Sequence, residues 1–141
     1  MPIYFSHFEL HSKIVNSAIS GHIYTESSMN QKEETVFAQL VPCIVALQKI
    51  RIYYKGLNDN AADWRDIDPY LIGENKNGRI VLSAYFYPDD GQRSSGQVNG
   101  WKTYFLSNIQ SIELTEDSFD DDRPEFNRQD KRMKTIICCI P

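Results

Sequence analysis

The chain has 141 residues, of which 41% are hydrophobic, 24% charged and 12% aromatic, with a formal net charge of -4. That length holds one domain able to bury its own core without disulfides or a metal, and no apolar run nears the roughly 20 residues of a membrane span. The acidic balance excludes attraction of nucleic acid by the whole surface and leaves room for a local basic patch.

Near the start, Ile3, Tyr4, Phe5, Phe8, Leu10, Ile14, Val15, Ala18 and Ile19 recur at spacings of three and four. This predicts a short amphipathic helix over 6–19, capped by Ser6 with Glu9 as its reciprocal partner and stopped near Gly21. Thr25 to Gln31 is polar and reads as a linker. Asn30, Glu33 and Glu34 suit a helix N-terminus. Val36, Phe37, Leu40, Val41, Ile44, Val45 and Leu47 then follow helical spacing. Pro42 interrupts that run, and a missing N–H with a ring clash predicts a break, with a second short helix over 42–48.

From Lys49 the period changes to two. Ile50, Ile52 and Tyr54 alternate with Lys49, Arg51, Tyr53 and Lys55, the mark of a strand. A loop over 56–63 leads to a short strand over 66–73 that Pro69 limits to an edge or bend. Asn77-Gly78 signals a hairpin turn, and Arg79 to Tyr87 is the clearest strand. Pro88 to Gly100 reads as a long hairpin loop. Trp101 to Leu106, Ile109 to Leu114 and Lys134 to Ile140 read as further strands, and Glu116 to Asp122 as a solvated acidic turn.

Five or six closely spaced strands, with helices gathered before them, predict a mainly β fold: a small antiparallel SH3-like (Sm-like) barrel preceded by short N-terminal helices. No helical segment separates the strands, which disfavours a parallel sheet. The domain reading is a helical lead and linker over 1–40, then a barrel with a C-terminal extension over 41–141. Cys43, Cys138 and Cys139 are odd in number, and two are adjacent. With no basic region and apolar stretch in Met1 to Leu10, they point to a reducing cytoplasm.

With the stretches Lys49 to Tyr54, Arg65 to Tyr70, Gly78 to Tyr85 and Trp101 to Ile109 in this order, the central segment resembles a WYL domain, a small SH3-like barrel seen mostly in bacterial regulators. A basic alternating strand, Lys49-Ile50-Arg51-Ile52-Tyr53-Tyr54, is followed by Arg65-Asp66-Ile67-Asp68-Pro69-Tyr70, similar to the family's Arg-x-Ile-x-Pro-Tyr stretch. Gly78 to Tyr85 stands where the naming Trp-Tyr-Leu strand falls, with Ile80 and Val81 in place of Trp and Tyr and Leu82 in agreement. Trp101 to Ile109 is similar to the family's Arg/Lys-x-Phe-Arg-Leu-Asp-Arg-Ile strand, and the tail over 119–134 looks like that of short stand-alone relatives. The resemblance implies that basic residues of this last strand contact an anionic ligand or nucleic acid. Lys102 keeps that charge, whereas Phe105 and Asn108 replace arginines.

Cations with rings for stacking are what a nucleotide or single-stranded nucleic acid requires. Arg65, Tyr85, Trp101 and Lys102 stand at or beside family motif positions, and with Arg93 and Arg51 they form the expected ligand site. The loop over 89–96 is a second place where backbone donors would face an anion. His7 and His11 share a helix face at i, i+4, but the glutamate spacing departs from the zinc motif, and a third ligand such as His22 would be needed. Cys138 and Cys139 point to opposite faces of a strand, so no metal or other cofactor is expected. No nucleophile elbow, phosphate loop or dinucleotide fingerprint occurs. The chain therefore reads as non-enzymatic: a regulatory, ligand-sensing protein for a nucleotide or nucleic acid, or else a protein–protein interaction module. A protein partner or homodimer is expected, and no membrane.

Overall fold

The structure is a computed structural model that describes residues 29–141. The helix predicted over 6–19 and the histidines His7, His11 and His22 lie outside the described residues.

Helix α1, Gln31–Val45, begins as its residues dictate. Asn30 Oδ1 accepts the Glu33 N–H at 2.8 Å, and Glu33 Oε1 accepts the Asn30 N–H at 3.1 Å, a complete capping box. The predicted break at Pro42 does not occur, and the helix runs through it to Val45. An interior proline costs a helix about 3 kcal/mol. Here Leu40 and Ile44, fully buried on either side, offset that cost by pinning both flanks to the core. Leu47 then takes a left-handed φ of 54° and turns the chain into the sheet.

Six strands follow: β1 Gln48–Tyr54, β2 Asp63–Asn75, β3 Ile80–Tyr87, β4 Gly100–Phe105, β5 Ile109–Ser118 and β6 Met133–Cys139. All pair antiparallel in one sheet of order β4-β3-β2-β1-β5, with β6 also beside β2. Strand β2 is not the short edge strand that Pro69 suggested. It is the central strand, with β3 along one side and, on the other, β1 up to Ile67 and β6 from Leu71. Pro69 falls between those two partners, at a slip in the β3 register, so its missing N–H removes no bond to β1 or β6.

The sheet must curl. Strands lie about 4.8 Å apart, so β4 and β5 would stand roughly 19 Å apart at the two ends of a flat sheet. Only the 3₁₀ turn Leu106–Asn108 joins them, and such turns rise about 2 Å per residue. Tyr54 Oη accepts the Phe105 N–H at 3.0 Å, and the Asn108 carbonyl accepts the Lys55 N–H at 3.3 Å, tying the end of β1 across the junction. Helix α1 packs against this turn and against β1, β2 and β6. Its apolar stripe of Val36, Phe37, Leu40, Val41 and Ile44 joins Ile50, Ile52, Ile67, Leu82 and Tyr104 in a single core.

The stretch over 88–100 is more ordered than a flexible hairpin loop. It contains a short helix, α2 Asp90–Ser94, closed by a capping box between Asp89 and Gln92. The buried Gln92 donates to Asp63 Oδ2 and to the Trp64 carbonyl, both at 2.9 Å, which docks the loop on β2. The N–H groups of Asp89, Gln92, Arg93, Ser95, Gly96 and Gln97 are bonded within the loop. All three cysteines are free. Burial pushes the Cys43 thiol up to about 11 and, with the neighbouring Cys139, that of Cys138 up to about 12. Among the described residues no helix is long and apolar enough to cross a membrane, and no group of three side chains is placed to hold a metal ion.

Candidate functional site

Period two along the strands divides the site residues between two faces. Asp68 on β2 lies opposite Tyr85 on β3, which lies opposite Trp101 on β4. Two residues along β3, Tyr87 shares their face.

Asp68 is fully buried and accepts three hydrogen bonds: from Lys49 Nζ at 2.9 Å, Tyr87 Oη at 2.6 Å and Arg123 Nη2 at 3.1 Å. A buried carboxylate is tolerated only when paired in this way. Arg123 comes from the irregular segment between β5 and β6. Its Nε donates to Tyr70 Oη at 3.1 Å and its Nη2 to Tyr87 Oη at 2.7 Å, while its guanidinium carbon lies 3.6 Å from the centre of the Tyr85 ring. Lys49 Nζ lies 4.0 Å over the Tyr87 ring.

This coupling moves the acid–base properties of the centre. Burial acts to lower the Lys49 ammonium, but the Asp68 hydrogen bond and charge prevail and hold it above its usual value. Burial raises the Tyr87 phenol, and Asp68 raises it further. Burial also raises Tyr70 against the opposing pull of Arg123.

Rings cover the centre. Tyr70, fully buried, contacts Trp101 at 4.7 Å, Phe126 at 4.8 Å and Phe119 at 5.0 Å between ring centres. Phe126 stacks on Trp101 at 5.9 Å and 22°. The Trp101 indole N–H is buried without a partner. A cavity of about 490 Å³ opens beside Arg123 between the sheet and this segment. Lys49, Tyr87 and Arg123 line it with cationic and phenolic groups, and Asp120, Asp122 and Glu125 also border it. It offers donors and aromatic faces to a polar ligand, and neither histidine nor cysteine lines it for proton transfer or nucleophilic attack.

The six sequence-predicted residues do not share one place. Tyr85 and Trp101 meet at 5.6 Å. Arg65 lies on the opposite face, bonded to Asp59 at 2.9 Å and near the rings of Tyr54 and Tyr104. Lys102, next to Trp101, also points to that opposite face and is exposed. Arg51 shares the Asp68 face but pairs with Asp66 at 2.9 Å and Glu113 at 3.6 Å. Arg93 is exposed on α2 and donates to Asn99 at 2.6 Å. The sequence places Lys49 and Tyr87 among the clustered cations and rings, but not among the six chosen site residues, and Asp68, Tyr70 and Arg123 in family-like stretches with no site role. Its one usable signal was a lone carboxylate inside the apolar run from Ile67 to Ile72.

No family model matches the chain, and no curated protein matches it. Among solved structures, it is similar to proteasome accessory factor B/C (PafBC) of Arthrobacter aurescens, with a TM-score of 0.55 and 17% identity. The match covers 79% of this chain and 16% of PafBC. At that identity the likeness is one of fold, and it is to a small part of the larger protein.

Proposed function

We propose that this chain is a non-enzymatic, cytoplasmic regulatory domain of WYL type that senses an anionic ligand, a nucleotide or nucleic acid, in the cavity beside Asp68. The observation that carries the reading is the cavity that Lys49, Arg123, Tyr87 and Phe119 line together, with Tyr85 packed against the Arg123 guanidinium behind it. Rings and cations at a single mouth suit a base and its phosphate. The likeness to PafBC, a proteasome accessory factor, supports a regulatory role. The test is calorimetric titration of the full chain with mono- and dinucleotides at low salt. Binding that Tyr85→Ala and Arg123→Gln each weaken tenfold or more supports the reading, and no heat at millimolar nucleotide overturns it.

A second reading is a protein–protein interaction module with the barrel as scaffold. It is favoured by the internal partners of Arg51, Arg65 and Arg93 and by the carboxylates of Asp120, Asp122 and Glu125 at the cavity. Light scattering that shows a stable dimer, together with nucleotide-independent behaviour, selects it.

A further inference from the structure

A second basic surface lies at the far end of β2. The β2–β3 turn, β4 and the chain leading into β6 enclose a groove of about 490 Å³. Lys76 stands on the turn, and Lys131 and Arg132 stand on the approach to β6. Asn77 and the Thr103 hydroxyl add polar groups, and buried Val81 and Met133 supply an apolar floor. No carboxylate lines this groove.

Arg132 is held in place by Asp130, which accepts its Nε at 3.0 and 3.2 Å and its Nη2 at 2.6 Å, leaving Nη1 for another acceptor. Among the described residues Lys76 and Lys131 make no ion pair. A neighbouring hollow of about 590 Å³ shares Lys131 and Met133 and adds Lys134, together with Asp130, whose carboxylate is engaged by Arg132. No aromatic ring lines either hollow.

The acidic residues of β5 stand elsewhere. They pair with β1, which flanks β2 only up to Ile67, while the groove begins at Asn75. A strand advances about 3.3 Å per residue, so that separation is up to roughly 26 Å, beyond a screening length of about 8 Å at physiological salt. The carboxylates nearest the groove are instead Asp130, which is engaged by Arg132, and Glu74, which stands beside the β2–β3 turn.

We propose that this groove and the hollow beside it form a phosphodiester-binding surface, which holds the backbone of a nucleic-acid strand through Lys76, Lys131 and Arg132 in the groove and Lys134 in the hollow, without reading its bases. A cluster of cations with exposed donors and no stacking ring meets phosphates and leaves the bases outside. The surface shares no residue with the Asp68 cavity, so it stands or falls apart from the nucleotide reading.

The test is fluorescence anisotropy of the full chain with a labelled twelve-nucleotide deoxythymidine strand. With Arg132 offset by Asp130, three lysines remain to be neutralised. A single strand then gives a slope of log affinity on log salt of about -2, or a loss of roughly 16-fold between 50 and 200 mM NaCl. Lys76→Gln with Lys131→Gln weakens binding and flattens the slope to about -0.7. Both positions are exposed, so the fold is retained. A mixed-sequence strand binds within about threefold of deoxythymidine, because phosphates are the contacts. The proposal is overturned if the strand does not bind at 50 mM NaCl, or if the double variant binds it as the unaltered chain does. Loss of strand binding in Arg123→Gln but not in the lysine variant also overturns it and moves the strand to the Asp68 cavity. Tighter binding of polyglutamate than of the strand overturns it in favour of an acidic protein partner.

Discussion

Replacing Asp68 by Asn tests whether the polar centre holds the segment over 119–132 onto the sheet. The amide keeps the volume and keeps an acceptor for Tyr87, but it removes the charge that Lys49 and Arg123 share. A hydrogen bond to a charged partner contributes about 1.5–3 kcal/mol. Lys49 and Arg123 retain 30% and 22% of their side-chain exposure, so each can turn partly to water and the low end applies. Two such bonds give a loss of about 3 kcal/mol, and a fall in Tm of roughly 10 °C for a domain of this size. The assay is urea unfolding followed by tryptophan fluorescence, since Trp101 lies under Phe126 and reports the covering segment directly. The control is Asp66→Asn, which breaks the half-exposed pair with Arg51 and is expected to cost under about 1 kcal/mol. If the two variants lose the same small amount, the buried carboxylate does not organise the site.

Pro42→Ala restores a donor inside α1 and is expected to raise stability by about 1–2 kcal/mol, read by urea or thermal unfolding; a lower Tm contradicts the account of the helix. Gly73→Ala places a Cβ 2.8 Å from the Thr135 carbonyl and 2.9 Å from Met133 Sδ. That overpacking should cost about 1–3 kcal/mol and speed amide exchange in β6, and unchanged exchange refutes it. Lys49, Tyr70 and Tyr87 all have raised folded pKa values, so the stability they contribute is complete below about pH 10 and is lost as pH rises through their folded values. A thermal series from pH 7 to 11 should show Tm falling at its alkaline end, and a smaller fall in Tyr87→Phe. Asp130, lowered by the Arg132 hydrogen bond, contributes on the other side, with stability present above about pH 4 and lost as pH falls through its folded value. Asp130→Asn should therefore flatten the acid limb of the same series.

The β pattern was legible because period two and a strong turn signal are local facts. Asn77-Gly78 and the alternation of Ile50, Ile52 and Tyr54 needed no tertiary context. The two prolines were misread for the opposite reason. Pro42 and Pro69 each obey a local rule that the surroundings override, through Leu40 and Ile44 in one case and the gap between two partner strands in the other. The division of the predicted site was already present in the chain, since Trp101 and Lys102 are adjacent on a strand and must face apart. Arg123 carried no such signal. It sits in a polar, irregular stretch, and only the long-range docking of that stretch on Tyr70 and Tyr85 gives it a partner.

The divided flank of β2 also shapes how the chain reaches this fold. The β1–β2, β2–β3 and β3–β4 pairings join near neighbours in sequence, whereas β2–β6 joins Leu71 to Cys139. Loop closure delays distant pairings, so the four-stranded β1–β4 meander is expected to form before β6 docks, leaving the β6 side of Leu71–Asn75 open. A bare edge of this kind accepts a strand of the right register, including β6 from a second chain. Refolding at high concentration is therefore expected to yield strand-exchanged dimers, and dilution to yield monomers.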